Sequence, residues 1–211
     1  MTGIISDNVG RTSGLIKAAS GGGGVWTKIK TLTASSDSTL SFVDGSDDVT
    51  LDSTYPIYLF KFINLHPSAD AAQFMVGFRD GGTAYDATKT TTCFKAYHAE
   101  DDAGSALVYE TSNDMANSTS VAYLSSNVDN DNDAHLCGEL YCFGLSNTTF
   151  VKHFMYTGVV LGATKYCYND HVAGYVNVTA AIDGVQFTYD DGNIDSGKIK
   201  LYGLKDSAWV E

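Results

Sequence analysis

Proline, cysteine and basic residues are all scarce in this chain of 211 residues. It has 2 Pro against 21 Gly, so its turns must be built from Gly, Asn and Asp. With only 4 Cys, a disulfide framework is excluded for a chain of this length. We expect the thiols to be reduced and mostly buried. They are Cys93, Cys137, Cys142 and Cys167.

Positive charge is low as well, with 13 Lys and Arg against 25 Asp and Glu, a formal net charge of −12. Nucleic-acid binding depends largely on basic side chains that neutralise phosphates, and anionic membranes attract the same side chains. The basic residues are scattered along the chain, so we expect neither nucleic acid nor membrane as a partner. An acidic surface instead keeps copies of a protein soluble and apart.

Long hydrophobic runs are missing too. No stretch approaches the ~20 apolar residues that a membrane-spanning helix needs. The N-terminus has no basic cluster followed by an apolar core, which argues against a secretory signal. The sequence therefore predicts a protein made and folded in a cytoplasm.

Strand-forming residues are what the chain has in abundance. Hydrophobic residues make up 44% of it, and the aromatic residues are mainly 13 Tyr and 10 Phe. Together with many Thr and Val, this composition favours β-strands and supplies a large core. The length suits one large β-sandwich over residues 25–211 better than two domains.

Residues 1–24 differ from the rest and form a separate segment. Its aliphatic side chains follow neither a helical nor a strand period, and the four glycines at 21–24 have the character of a flexible linker. The segment is either an unstructured tail or an anchoring arm that becomes ordered against a partner. Its exposed aliphatics favour the arm. They are Ile4, Ile5, Val9, Leu15 and Ile16.

Alternation of apolar and polar residues predicts about ten strands and no amphipathic helix. Many short strands separated by Gly, Asn and Asp turns are typical of an antiparallel β-sandwich, and we expect the jelly-roll form. The first and last strands, 26–33 and 198–204, should be antiparallel neighbours. The strand-like segments are 26–33, 40–42, 57–65, 73–79, 92–97, 106–109, 121–124, 136–143, 150–160, 175–181, 185–189 and 198–204.

The acidic run at residues 129–133 resembles the opening of a calcium loop, because Asp129, Asp131 and Asp133 alternate. An EF-hand is excluded, since Ala134 stands where Gly is needed and Leu140 where a bidentate Glu is needed. The alternatives are an irregular Ca²⁺ loop and a solvated acidic turn, and the turn is favoured. We expect no essential metal.

Cysteine and histidine give no strong zinc pattern. Cys137 and Cys142 are five residues apart, so on one strand they point to opposite faces. Cys167 and His171 are four apart and could meet across a loop, with His135 as a further ligand. Without a CxxC pair, buried thiols are the favoured interpretation.

No catalytic motif is present. The chain has no GxSxG elbow, and none of its five His residues has a triad context. Most acidic residues are Asp in turn segments, where they cap backbone amides. We therefore expect no enzyme, no catalytic residues and no cofactor. Exposed Trp26 and Trp209 could form a sugar-stacking face, or Trp26 could simply lie at the edge of the core.

Both ends of the chain resemble virion proteins of marine and cyanobacterial tailed phages. The resemblance lies in residues 2–18 (TGIISDNVGRTSGLIKA), in 26–35 (WTKIKTLTAS) with 53–55 (STY), and near the C-terminus in 185–187 (VQF), 192–197 (GNIDSG) and 201–204 (LYGL). Residues 80–170 do not share it.

The resemblance implies a β-sandwich structural protein of the virion without catalytic residues. Its expected place is the particle surface, as head decoration (cement) or as a fibre module, held by the N-terminal arm. The expected partners are further copies, as a homotrimer, and other virion proteins such as the major capsid or tail proteins. The alternative is the receptor- or glycan-binding tip of a tail fibre, with a host surface glycan as ligand.

Overall fold

A computed structural model describes residues 26–205 of the chain. This part contains thirteen β-strands and no helix. Within these residues there is accordingly no helix that could cross a membrane. The strands are β1 (Trp26–Thr33), β2 (Leu40–Val43), β3 (Ile57–Pro67), β4 (Phe74–Arg79), β5 (Lys89–Ala99), β6 (Ser105–Tyr109), β7 (Met115–Ser118), β8 (Ala122–Tyr123), β9 (Leu136–Phe143), β10 (Lys152–Leu161), β11 (Tyr166–Val176), β12 (Gly184–Tyr189) and β13 (Ile194–Leu204).

The strands form two antiparallel sheets of unequal size. The nine-stranded sheet has the order β1-β13-β3-β9-β10-β11-β5-β6, and β7 also pairs with β5. The four-stranded sheet has the order β2-β12-β4-β8. The predicted all-β sandwich is confirmed, with thirteen strands rather than about ten. Its jelly-roll form stays a prediction.

The first and last strands are antiparallel neighbours, as predicted. In β1, Trp26 lies opposite Leu204 and Thr33 lies opposite Lys198 of β13. The bounds predicted for β1 and β9 agree with the structure residue for residue. In β9 the alternation coincides with a buried and a partly exposed side, whereas no residue of β1 is buried and its bounds follow from the apolar–polar alternation alone.

The strand predicted at residues 175–181 is wrong. Strand β11 ends at Val176, and residues 177–183 form a loop to β12. The ammonium of Lys152 is buried and donates hydrogen bonds to the carbonyls of Val178 and Ala180. These carbonyls accept hydrogen bonds from a buried ammonium instead of pairing with a strand.

The short strand β7, whose sequence is MANS, has no strand pattern and was not predicted.

An aromatic cluster joins the two sheets. Phe42, Phe74 and Phe187 come from the smaller sheet, and Phe60 and Phe62 come from β3 of the larger one. The Phe187 ring lies 5.1 Å from the Phe62 ring and 5.2 Å from the Phe60 ring, between centroids, with edge-on geometry in both cases. All five side chains are buried, so the cluster is the centre of the core.

The smaller sheet covers only part of the larger one. Across β3, β9 and β10 the inward side chains are buried, as Phe60, Leu140 and Phe154 illustrate. At the far end, over β5 and β6, inward residues such as Lys95 and Val108 remain partly exposed. An uncovered corner of the inner face therefore borders the four-stranded sheet.

Replacing Phe187 with Ala should lower the free energy of unfolding by ~3–5 kcal/mol, because the change removes the ring that both sheets share and leaves a cavity. Urea unfolding followed by tyrosine fluorescence measures the loss. The matched control is Phe150→Ala, since Phe150 is 69% exposed and should change stability by no more than ~0.5 kcal/mol. Equal effects of the two substitutions would contradict this view of the core.

Candidate functional site

The predicted anchoring residues lie outside the described part of the chain. Ile4, Ile5, Val9, Leu15 and Ile16 precede residue 26, where the description begins. The segment that they belong to leads directly into β1, an edge strand of the larger sheet. Its attachment point is therefore at the edge opposite β6.

The structure describes one of the two tryptophans predicted as candidates for a sugar-stacking face. Trp26 is 36% exposed and packs edge-on against Tyr141, with ring centroids 6.1 Å apart. Tyr141 lies on the solvent side of β9, opposite the buried Leu140 and Cys142, so this contact lies outside the core and the sugar-stacking role stays a prediction. Trp209 lies outside residues 26–205.

The acidic loop at 129–133 is bridged by a lysine. The ammonium of Lys165 donates hydrogen bonds to the carboxylates of Asp129 and Asp131, the latter at 2.6 Å. Asp129 is buried rather than solvated, and it also accepts a hydrogen bond from the amide of Asp131 at 3.0 Å. The lysine thus stands between two carboxylates of the loop and provides the positive charge that balances them.

The hydrogen bonds of Lys165 shift the pKa values of Asp129 and of Lys165 itself. Burial alone would raise the pKa of Asp129, but the Lys165 and Asp131 hydrogen bonds outweigh it, and the pKa falls below its usual 3.8. The hydrogen bonds that Lys165 donates to the carboxylates of Asp129 and Asp131, the former first, raise the pKa of Lys165. Both groups are therefore held in their charged forms at neutral pH.

The cysteines and histidines do not assemble into a zinc site. Cys167 and His171 both lie in β11 rather than across a loop, so four residues separate them by ~13 Å and the proposed meeting is wrong. Within residues 26–205 no three His, Cys, Asp or Glu side chains are placed to share a metal ion. All four thiols are free.

Burial distinguishes the thiols from one another. Cys142 is buried and Cys137 is on the opposite side of β9, as predicted from their spacing. Cys93 is buried too, and this burial raises its pKa to about 12. Cys167 is exposed, so the expectation of mostly buried thiols holds for two of the four.

One side of the larger sheet forms an uncharged surface, which we call the outer face. It is the solvent side of β10, β11, β5 and β6, where paired residues continue from strand to strand. One such row runs from Val159 through Asn169 and Ala96 to Leu107. The outer face consists of His153, Met155, Thr157, Val159, Leu161, Cys167, Asn169, His171, Ala173, Tyr175, Thr90, Thr92, Phe94, Ala96, His98, Ser105, Leu107 and Tyr109.

Large exposed apolar side chains concentrate on the outer face. Seven such residues occur in the described chain, and five of them belong to this surface, with exposed fractions between 44% and 73%. The five are Phe94, Leu107, Tyr109, Met155 and Val159. Contiguous exposed apolar surface of this kind is typical of contact sites between proteins.

The outer face contains no Asp, Glu, Lys or Arg, although the chain as a whole carries a net charge of −12. Its ring systems are already ordered, since Phe94 stacks on His171 with centroids 4.8 Å apart. Beside Met155 and Tyr175, the surface dips into an apolar groove of about 450 Å³. This surface is the strongest candidate for the functional site.

Replacing Lys165 with Met should lower the melting temperature by several degrees at pH 7, because Asp129 loses the cation that compensates its burial. The lowered pKa of Asp129 means that its contribution to stability is complete above about pH 4 and disappears as the pH falls further. The difference between variant and wild type should therefore shrink towards pH 3. Thermal unfolding at both pH values measures it.

The control for this variant is Lys198→Met, since Lys198 is exposed and forms no ion pair within residues 26–205. We also expect wild-type stability to be the same with EDTA and with added Ca²⁺. A melting temperature that drops by several degrees in EDTA would show that the loop holds calcium after all.

Comparison with known proteins returned no match from family models, curated proteins or solved structures. The resemblance of the two chain ends to phage virion proteins stays a prediction. The outer face is therefore described from the strands and side chains of this structure alone.

Proposed function

We propose that this protein is a non-enzymatic structural component of a tailed-phage particle. It stands on the particle surface as head decoration or as a fibre module, and several copies associate through the outer face. The resemblance of residues 2–18 and 26–35 to virion proteins supports the setting. The uncharged, apolar outer face supports the association, and it is the observation that carries the proposal.

The occupant of the outer face is a second copy of the same chain. Two copies with a charge of −12 each repel one another wherever acidic surfaces approach. The outer face is a broad surface on which they can meet without bringing carboxylates together. A basic partner would instead be drawn to the acidic remainder of the surface.

The size of the outer face fits this role. Four strands at ~4.8 Å spacing and about nine residues at ~3.3 Å each give a flat area on the order of 600 Å². A stable interface buries ~800 Å² on each partner. The outer face supplies most of that area, and the adjoining residues of β9, among them Tyr141, can supply the rest.

A trimer is the stoichiometry that we propose. Three copies that turn their outer faces towards a common axis each contact two neighbours, so each contact uses about half of the outer face, ~300 Å², together with adjoining residues of β9, and the contacts close into a ring. The N-terminal segments then start from β1, at the far edge of each larger sheet. Association and anchoring thereby use separate parts of the chain and can be tested separately.

Introducing Val159→Glu together with Leu107→Glu should dissociate the assembly. Both residues end the same cross-strand row, and their substitution places two negative charges on each uncharged face. We expect the dissociation constant to rise by about 100-fold or more, ~2.8 kcal/mol. Sedimentation equilibrium measures the stoichiometry of both proteins.

The control is Phe150→Glu, which adds one negative charge at a similarly exposed apolar residue outside the outer face. The control should stay trimeric. If the double variant also stays trimeric, or if the wild-type protein is monomeric at ~100 μM, association through the outer face is refuted.

Deleting residues 1–24 should leave a folded, soluble trimer that no longer enters phage particles. Burial of Ile4, Ile5, Leu15 and Ile16 can supply ~6–12 kcal/mol, at ~1.5–3 kcal/mol for each side chain. Ordering about twenty residues at ~1–2 kcal/mol each costs more than that, so one arm binds only weakly, and only with backbone hydrogen bonds to its partner. Three arms on one trimer act together and bind much more tightly.

Quantitative mass spectrometry of purified particles checks the deletion, with the full-length chain as reference. Normal copy number of the truncated protein would show that the segment is a tail and not an anchor. Absence of the full-length protein from particles would instead refute the virion assignment itself.

A further inference from the structure

A polar cleft lies at the uncovered corner of the sandwich. It is bounded by β5 and β11 of the larger sheet and by the segment around β8 of the smaller one, and has a volume of about 440 Å³. Small-molecule sites typically measure ~300–1,000 Å³. Its wall includes Gln73, Lys95, Glu110, Tyr123 and Tyr168. We name this group of residues and the space between them the corner cleft.

The corner cleft departs from the pattern of the rest of the inner face. Elsewhere the inner face contributes mainly aliphatic and aromatic side chains to the core, and its lysines, such as Lys152, are fully buried. Here it presents the partly exposed Lys95 and a group of three tyrosines, of which Tyr168 also packs partly against the core. Tyr97, Tyr166 and Tyr168 lie with ring centroids 5.5–5.9 Å apart. Polar side chains at inward strand positions, where the fold elsewhere places core residues, are often found at binding sites.

Hydrogen bonds and an ion pair hold the residues of the corner cleft in place. Asp170 is buried, with 2% of its surface exposed, and accepts hydrogen bonds from the amide and hydroxyl of Ser126 at 2.8 and 2.7 Å. The ammonium of Lys95 lies 3.3 Å from the Glu110 carboxylate and 4.9 Å from the centre of the Tyr168 ring. These contacts hold Lys95, Glu110 and Tyr168 in place before any ligand arrives, which lowers the entropic cost of binding.

Hydrogen-bonding capacity remains available in the corner cleft. Within residues 26–205 the hydroxyls of Tyr123 and Tyr168 make no hydrogen bond to the protein. Asn113 also contributes its amide to the wall. The corner cleft is therefore lined by hydrogen-bond donors, by hydrogen-bond acceptors and by aromatic rings.

Lys95 and Glu110 neutralise each other, so the corner cleft favours a neutral ligand. Neither an anion nor a cation meets an unpaired opposite charge on these two residues, while the pair together offers a donor beside an acceptor. Sugars carry hydroxyls that donate and accept at once, and their C–H faces stack on aromatic rings such as tyrosine. Nucleotides fit poorly, because their phosphates would meet Glu110 and an acidic surface.

We propose that the corner cleft binds a neutral pyranose unit of an oligosaccharide, with Tyr168 or Tyr123 stacked on the sugar ring and Lys95, Glu110 and Gln73 bonded to its hydroxyls. This site goes beyond the structural role proposed above and does not depend on it. It also differs from the sequence-based expectation, because it uses tyrosines rather than the two tryptophans.

The test uses the full-length protein on a printed array of defined oligosaccharides, followed by calorimetric titration of each glycan that binds. We expect neutral glycans to bind. Tyr168→Ala should weaken binding at least tenfold, and Tyr168→Phe should weaken it less, because the ring remains. Glu110→Gln should also weaken binding, since the carboxylate acceptor is lost.

The control variant is Tyr202→Ala, which removes a half-buried tyrosine of β13, outside both the corner cleft and the outer face, and should leave the affinity unchanged. Thermal unfolding of each variant separates loss of binding from loss of folding. The proposal is overturned if the array shows no neutral glycan bound, if folded Tyr168→Ala binds as well as wild type, or if free nucleosides bind as tightly as sugars.

Discussion

The four-stranded sheet is too small to cover the inner side of the nine-stranded sheet, and the rest of the structure follows from this mismatch. Where the sheets overlap, the rings of Phe187, Phe60 and Phe62 interlock and close the core. Where the overlap ends, inward positions of β5 and β11 face solvent and carry Lys95 and Tyr168 instead of aliphatic side chains. The overlap of the two sheets therefore accounts for the closed core, and the part of the larger sheet that the smaller one leaves uncovered accounts for the corner cleft.

Within residues 26–205, no second layer covers the other side of the larger sheet. A sheet that faces water usually carries charged side chains there, as Lys61 and Glu139 do at the middle of this sheet. From β10 to β6 these are replaced by Thr, His, Asn and apolar residues. An acidic chain that keeps one broad region free of charge has a surface on which its copies can meet, and this is the basis of the proposed assembly.

Sequence patterns were sufficient where apolar and polar residues alternate without interruption. Strands β1 and β9 were predicted with correct bounds, and the pairing of β1 with β13 followed from the tendency of sandwiches to join their chain ends. Strand β11 was misplaced because its interior carries Asp170, a buried carboxylate that no alternation rule anticipates. The hydrogen bonds that satisfy it come from Ser126, 44 residues earlier in the chain.

Both candidate surfaces depend on strand order, which the sequence does not reveal. Phe94, Leu107 and Val159 are separated by up to 65 residues, and only the register of β10, β11, β5 and β6 brings them onto one side. A local signal did exist, since the outward positions of these strands lack charge. Its meaning becomes clear only once the four strands are known to be adjacent.

Oxidation of Met155 tests the central claim, the burial of the outer face between copies, most directly. Met155 is 56% exposed in the single chain, whereas Met75 is buried in the core. With dilute hydrogen peroxide and peptide mass spectrometry, the account predicts that Met155 in the native wild-type protein oxidises nearly as slowly as Met75. It should become fast in the Val159→Glu, Leu107→Glu variant. Fast oxidation of Met155 in the wild-type protein at ~100 μM would contradict the account.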